Sequence, residues 1–354
     1  MLDQLSGSED RFRQVKYSLR KEKEGSLPIS LYGGREILTT SGWKRIIKKY
    51  NPQNLMEISD KVEQKLKLAK AGVPIPATYL IIDGDTSIEA FGRWLKKWDK
   101  GFALKPSKGH GGNGVLVVDR KVGGVYIRTT GRTIEAPQIL SHAGDIVSGA
   151  FSDGETDRAI VEERIVLSRR LRELMTEGLI DIRVVVFRGF PIMAMTRLPT
   201  KRSEGRANIH QGALAAGISI SEGRITNATS ARRTVRKHPN TGKDLIGFGF
   251  GDWDAILEAA SAAALAMEMG YVGVDLTVDA NRGVLVIEVN KRPGLEIQNA
   301  NNAGLLRRIR FVERMWRKEI KRTPELGPGV RAELSRSWDR LSWGRLKPED
   351  LAEE

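Results

Sequence analysis

The 354 residues carry 58 Lys and Arg against 44 Asp and Glu, a formal charge of +14, with 40% hydrophobic and 29% charged residues. That balance excludes a fibrous or wholly disordered chain, and the length suits two or three domains. Cysteine is absent, which excludes a disulfide scaffold, a thiolate metal site and a cysteine nucleophile, and is compatible with the cytoplasm. The opening stretch has no apolar core of the secretory type, and the longest small-apolar run, Ala259 to Met267, is too short to cross a bilayer, so no membrane insertion is expected. The positive charge favours encounter with phosphates and other polyanionic or acidic partners.

In chain order, Trp43 to Tyr50 reads as an aromatic-basic helical stretch. Asp60 to Ala71 is predicted as a helix, capped by Asp60, lined by Val62, Leu66 and Ala69, and stopped at Gly72. Val73-Pro-Ile-Pro76 must be extended, because each proline pushes its predecessor into the β region. Tyr79 to Asp83 then reads as a strand and Ser87 to Trp98 as an amphipathic helix. Strands are predicted at Phe102 to Lys105, Val115 to Val118, Ala159 to Glu163, Ile180 to Phe187 and Pro191 to Arg197, the last two joined by an Arg188-Gly189 turn. Residues 199–250 are loop-rich and basic around a strand-like Ala213 to Ile220. Trp253 to Met269 is a helix, Tyr271 to Val278 and Val284 to Asn290 are strands, and Leu305 to Ile320 is a basic helix followed by a polar, peripheral tail.

Gly109, Gly111, Gly112 and Gly114 lie between two predicted strands, which argues against both a dinucleotide-binding turn and a P-loop, each of which opens a helix. Such a loop is either a flexible hairpin turn or a flap that presents backbone N–H groups to a triphosphate. Lys105, at the end of the preceding strand, is placed to reach a phosphate beneath it. Farther on, a hairpin centred between Asn281 and Arg282 would set Asp275 opposite Glu288, with side chains roughly 5 Å apart. Like charges so placed call for a cation, and Asn290, on the same face, adds a neutral oxygen. Hard oxygen ligands of this kind suit Mg²⁺ beside nucleotide phosphates; the alternative is two acids on the solvent side of a half-exposed hairpin. Asp181, Arg183 and Arg197 read by default as strand ion pairs, and Asn208 and His210 lie in a polar loop.

Together these residues resemble the ATP-grasp superfamily and, more narrowly, the RimK-type α-L-glutamate ligase-related proteins. The matching pieces, in order over about residues 40 to 305, are Ser59-Asp-Lys61 with Ala69 to Pro76, Lys105 with Gly109 to Gly114, and Val161-Glu-Glu-Arg164. Asp181-Ile-Arg183, Arg197, Asn208 to Gly212, Gly273-Val-Asp275 and Glu288 to Gly294 follow, and His238 to Gly242 and Ile297 to Gly304 resemble the glutamate-ligase-like subgroup. The resemblance implies an α+β ATP-grasp fold in which two α/β subdomains sandwich the nucleotide. It divides the chain into a short N-terminal region (1–58), a first subdomain with the glycine-rich loop (59–165), a second with the metal site (166–305) and a basic helical tail (306–354).

The same resemblance implies roles. Lys61 and Lys105 would contact ATP phosphates beneath the glycine loop. The backbone of Glu163, Arg164 and Ile165 would read adenine, with an acid from Glu162, Glu163 or Asp181 near its amino group or the ribose. Arg183 and Asn208 would complete the nucleotide set, Arg197 would stabilise the transferring phosphate, and Asp275, Glu288 and Asn290 would hold one or two Mg²⁺ ions, with Mn²⁺ as a substitute. The implied reaction joins a carboxylate donor to an amine acceptor through an acylphosphate. Three departures stand out. Only sixty residues precede Lys61, where relatives place an acceptor-binding domain; Lys291 replaces a small residue; and Arg232, Arg233, Arg236 and Lys237 form a basic loop suited to an acidic peptide or to solvent. A kinase acting on an alcohol is the competing enzyme reading, and a nucleic-acid-binding or scaffold protein the non-enzymatic one. Aromatic residues are only 6% and no nucleic-acid-binding motif is recognisable, so nucleic acid is not expected as a specific partner.

Overall fold

The computed structural model describes residues 37–56, 60–109, 111–175, 178–230, 233–318, 320 and 326–340. Ser59, His110, Arg232, most of the region 1–58 and the end of the tail lie outside the described residues. Two antiparallel sheets organise the chain. The first has strand order β1-β6-β2-β3-β4-β5, from β1 (Thr78–Ile82), β2 (Phe102–Pro106), β3 (Leu116–Val122), β4 (Val125–Arg128), β5 (Thr133–Ile134) and β6 (Ala159–Glu163). The second has order β11-β10-β9-β8-β7-β12-β13, from β7 (Asp181–Phe187), β8 (Phe190–Leu198), β9 (Leu214–Ile218), β10 (Ile225–Ser230), β11 (Arg233–Thr234), β12 (Tyr271–Asp279) and β13 (Gly283–Asn290).

Helix α1 (Thr40–Tyr50) is capped by Thr39, whose hydroxyl accepts from Gly42 N–H, and turns Ile47 inward. Helix α2 (Lys61–Lys70) begins at the expected cap, with Asp60 accepting from Val62 N–H at 2.7 Å. The same carboxylate takes Ser107 and Arg158, which ties the helix start to the ends of β2 and β6. Burial pushes the Asp60 carboxyl up, but the bonds from Ser107, Arg158 and Val62 outweigh it and hold it below the usual range. Helix α3 (Asp85–Lys97) starts two residues before the predicted Ser87, because the Ser87 hydroxyl reaches back to the N–H groups of Asp83 and Gly84.

On the first sheet, Phe102 and Leu104 point into a core with Phe91 and Leu95 of α3 and Ile139, Ala143 and Ile146 of α4 (Ala136–Val147). Alternation sends Ala103, Lys105, Ile160 and Glu162 to the opposite face. The second sheet is covered on both sides, so all seven residues of β7 are buried. Its Val184 and Val186 pack beneath α5 (Trp253–Ala266). Val185, Phe187, Met193 and Tyr271 pack beneath α1, α7 (Leu306–Lys318) and α8 (Pro328–Trp338), with α6 (Glu296–Asn301) alongside. The turn between β7 and β8 is the predicted Arg188-Gly189, both at positive φ, the geometry a two-residue hairpin needs.

One expectation is corrected here. The tail after residue 320 is not peripheral as far as it is described, because α8 inserts a fully buried Trp338 against Phe190 and Phe311. Residues 119–158, which carry no expected element, form β4, β5 and α4.

Candidate functional site

The polar face of the first sheet carries a three-membered ion cluster. Ala103 pairs with Glu162 and Lys105 with Ile160, so Lys105 and Glu162 are diagonal neighbours on one face. Lys105 Nζ lies 2.6 Å from Glu162 Oε1, and Lys65 Nζ of α2 lies 2.8 Å from Oε2. All three residues are at most 8% exposed. Burial alone would raise the Glu162 carboxyl, but the charges of Lys105 and Lys65 hold it below the usual carboxylate range. One turn earlier, Lys61 Nζ donates to Gly109 O at 2.5 Å and sits 3.9 Å from Glu288 Oε2 of β13. Burial drives its ammonium downward, with Glu288 opposing.

The glycine loop arches from β2 toward the second sheet. A Cβ on Gly114 (φ +72) would stand 2.6 Å from the Phe151 ring, so only glycine allows that crossing. A Cβ on Gly111 (φ +65) would come within 3.2 Å of Asn208 Nδ2, so the loop tip meets the 209–211 turn that Asn208 caps. Gly112, also at positive φ, faces open space, and Gly109 folds back on Pro106. His142 of α4 anchors the loop's far end through Gly114 O at 2.8 Å.

The connection between the sheets is pinned at both ends. Glu163 accepts from Ala77 N–H at 3.1 Å and from Arg282 Nη1 at 2.5 Å, and Arg164 pairs with Asp119 at 2.8 Å. Ile165 is half-buried. Val166 N–H donates to Asp279 Oδ2, and Ala280 N–H donates back to Val166 O, each at 2.7 Å.

On the second sheet Asp275 does face Glu288, but by a route the expectation did not include. Near the turn the pairing is Asp279 with Gly283 and Leu276 with Val286, centred on Asn281. An irregularity at Ile287 then shifts the register by one and brings Glu288 opposite Asp275. The cation beside Asp275 is a guanidinium of the protein itself. Arg183 pairs with Asp275 across β7 and β12 and donates from Nε and Nη2 to its two oxygens, both at 2.6 Å. Arg197 Nη2 adds a third bond at 3.0 Å and also pairs with Asp181. Burial pushes Asp275 up, yet Arg183 and Arg197 hold it below the ordinary range. Arg183 ends above its own, the pull of Asp275 outweighing burial. Asp181 Oδ1 and Arg197 Nε are buried without a partner.

The donor set meets the demands of a nucleotide phosphate and a hard cation unevenly. The buried Lys105, the half-buried Lys61, a glycine flap and an unpartnered guanidinium N–H suit phosphate oxygens. For Mg²⁺, Glu288 is one-third exposed, Asn290 Oδ1 already accepts from Arg292 N–H at 2.9 Å, and both Asp275 oxygens are bonded. Among the described residues no three His, Cys, Asp or Glu side chains cluster as a metal site. A cation would be held by Glu288 and Asn290, with Asp275 joining only by exchanging Arg197. Lys291 points away, its Nζ donating to Leu55 O at 2.8 Å. His238 is buried against Pro199 O, with burial lowering its basicity, and His210 is exposed. Sequence reasoning missed Lys65, whose signal was its place one helical turn after Lys61, and Gln64, whose Oε1 accepts from Val289 N–H and joins α2 to β13.

Three comparisons bear on these observations. A "probable alpha-L-glutamate ligase" of Mannheimia succiniciproducens is 25% identical over 264 residues, 75% of this chain and 66% of its own length. A protein of the same description from Legionella pneumophila (strain Corby) is 30% identical over 136 residues, 38% of this chain and 34% of its own. This chain therefore spans about two thirds of the first relative and one third of the second. Among solved structures, the ATP-grasp ligase PsnB with its minimal precursor matches at 15% identity and a TM-score of 0.38, covering 81% of this chain and 63% of that one. A D-alanine–D-alanine ligase from Bacillus anthracis matches at 13% and 0.41, covering 78% and 72%. The model of the sugar-transfer associated ATP-grasp family matches residues 43–314, and the chain belongs to that family.

Proposed function

We propose that the chain is an ATP- and Mg²⁺-dependent carboxylate–amine ligase that works through an acylphosphate. The observation that carries this reading is the meeting of Lys61, at the start of α2, with Glu288 of β13 on the second sheet, 3.9 Å apart, beneath a glycine loop that leaves the first sheet and whose tip reaches Asn208. Phosphoryl transfer is accelerated mainly by positioning and by neutralising charge, and this arrangement supplies both. In this reading Lys61 and Lys105 hold phosphate oxygens, Arg183 and Asn208 complete the nucleotide contacts, and Glu163, Arg164 and Ile165 line the adenine end. Glu162 holds Lys105, Asp181 positions Arg197, and Arg197 stabilises the phosphoryl group in transit. Glu288 and Asn290, joined by Asp275 only if Arg197 is exchanged, would hold Mg²⁺, which would supply shielding of the phosphate charge.

A donor carboxylate oxygen attacks the γ-phosphorus and ADP leaves. The amine then attacks the acyl carbon, inorganic phosphate departs, and the nitrogen loses a proton. Phosphorylation turns a poor electrophile into one with a good leaving group. The relatives' description makes glutamate the first amino acid to try, and the family's description as sugar-transfer associated makes sugar-linked amines and carboxylates further candidates to screen. The basic loop at Arg233, Arg236 and Lys237 suits an acidic acceptor. A cytoplasmic location fits the need for ATP, and among the described residues no helix is long and apolar enough to cross a membrane. The test is a mass-spectrometric screen of carboxylate and amine pairs with ATP and Mg²⁺. An amide product formed with ADP and inorganic phosphate supports the ligase; a stable phosphoester with ADP would assign a kinase instead.

A further inference from the structure

The buried Lys65–Glu162–Lys105 cluster contains one cation more than it needs for neutrality. Glu162 contributes one negative charge and is held at both oxygens, by Lys105 at 2.6 Å and by Lys65 at 2.8 Å. Its 4% exposure leaves almost no water to screen that charge. Lys65 itself cannot reach into the nucleotide space while it spans from α2 to Glu162, with its Nζ also donating to Pro76 O at 3.2 Å. Lys65 also lines an apolar cavity of about 260 Å³ with Val62, Leu66, Ala69, Ile75 and Pro76.

If Lys65 were absent, Lys105 and Glu162 would form a neutral pair, and an arriving phosphate would meet a carboxylate as close as an ammonium. With Lys65 present, Glu162 is already balanced, and the charge of Lys105 is left for the phosphate. We infer that Lys65 is a positioning residue for nucleotide binding: it neutralises Glu162 from behind so that Lys105 presents an uncompensated positive charge to the phosphates. This inference rests on the reading of Lys105 as a phosphate ligand. Burial lowers the Lys65 ammonium and Glu162 opposes that effect, as expected for a cation kept in a dry site by one acid.

The experiment measures ADP and adenosine affinities by titration calorimetry for the wild-type protein and for Lys65→Met, Lys65→Arg, Lys105→Met and Lys65→Met/Glu162→Gln. A unit charge roughly 8 Å from a phosphate in a partly wet site is worth on the order of tenfold in affinity. Lys65→Met is expected to weaken ADP by about that factor and to leave adenosine, which has no phosphate, within about twofold. Lys65→Arg is expected to keep ADP binding, because it keeps the charge. The double variant removes one charge of each sign and is expected to restore ADP affinity to within about threefold of wild type, a rescue that a merely structural lysine would not give. If Lys65→Met does not fold, the double variant set against wild type decides: ADP affinity within about threefold supports the inference, and any larger loss overturns it. Unchanged ADP affinity in Lys65→Met, equal losses for ADP and adenosine, or no rescue would each overturn it while a weakened Lys105→Met left the nucleotide site standing. If Lys105→Met itself binds ADP normally, the nucleotide-site reading falls and this inference falls with it.

Discussion

Replacing Asp275 by Asn tests the charged network at the centre of the second sheet. The substitution keeps the shape of the side chain and one acceptor oxygen but removes the charge that Arg183 meets with two 2.6 Å bonds. Arg197 keeps Asp181 as a partner, so the loss falls chiefly on Arg183, which is 7% exposed. Leaving one member of a buried pair uncompensated costs roughly 3–5 kcal/mol, and the retained Asn oxygen places the expectation near the lower end, about 3 kcal/mol. Urea unfolding reads this directly as a lower midpoint at unchanged slope. The double variant Asp275→Asn/Arg183→Met, which removes both charges, should recover most of the loss. The pH dependence follows from the lowered Asp275 carboxyl. A group whose folded pKa lies below its unfolded value contributes fully above the unfolded value, about 3.8, and the contribution drains as pH falls through the folded one. Wild type should therefore lose stability below about pH 4 more steeply than Asp275→Asn. A loss under 1 kcal/mol at pH 7, or parallel acid limbs in the two proteins, would refute the claim that Arg183 depends on this carboxylate.

Glu288→Gln should lower turnover by on the order of a hundredfold while the melting temperature stays near wild type, since the amide keeps the shape and loses only charge; near-normal ADP release at saturating Mg²⁺ would remove Glu288 from the site. Gly114→Ala, with its Cβ forced against Phe151 at positive φ, should weaken nucleotide binding more than Gly112→Ala, which meets open space, and a thermal-shift titration with ATP ranks the two. Neutralising the exposed Arg233, Arg236 and Lys237 together with Arg232 should raise KM for an acidic acceptor, leave kcat nearly unchanged and lose its effect at high salt; an unchanged KM at low salt marks the loop as solvated surface.

How far the sequence carried the account depends on the range of each interaction. The cap at Asp60, the stop at Gly72 and the Arg188-Gly189 turn rest on local backbone preferences and were readable. So was the facing of Asp275 and Glu288, although counting outward from the turn reached the right pair only because of the irregularity at Ile287, which no glycine or proline marks. The pairing of Asp275 with Arg183 was not readable, because it depends on two strands 92 residues apart coming into one register. Two facing acids need no external cation where, as here, β7 brings the guanidinium of Arg183 to one of them. Helix α4 was overlooked although Pro137 opens it and Ile139, Ala143 and Ile146 line its core side. The buried end of the tail was overlooked because α8 has few apolar residues of its own and gains its place from Phe190 and Phe311.

The ligase reading is tested most directly by following oxygen. Amino acids carrying ¹⁸O in their carboxylates, glutamate first, are incubated with the protein, ATP, Mg²⁺ and candidate amines, and the released inorganic phosphate is weighed by mass spectrometry. Attack of a carboxylate on the γ-phosphorus, followed by amine attack on the acyl carbon, transfers one labelled oxygen to phosphate in each turnover, in step with amide and ADP. Turnover that yields ADP and a phosphoester, or an amide formed with inorganic phosphate that carries no label, would contradict the acylphosphate route.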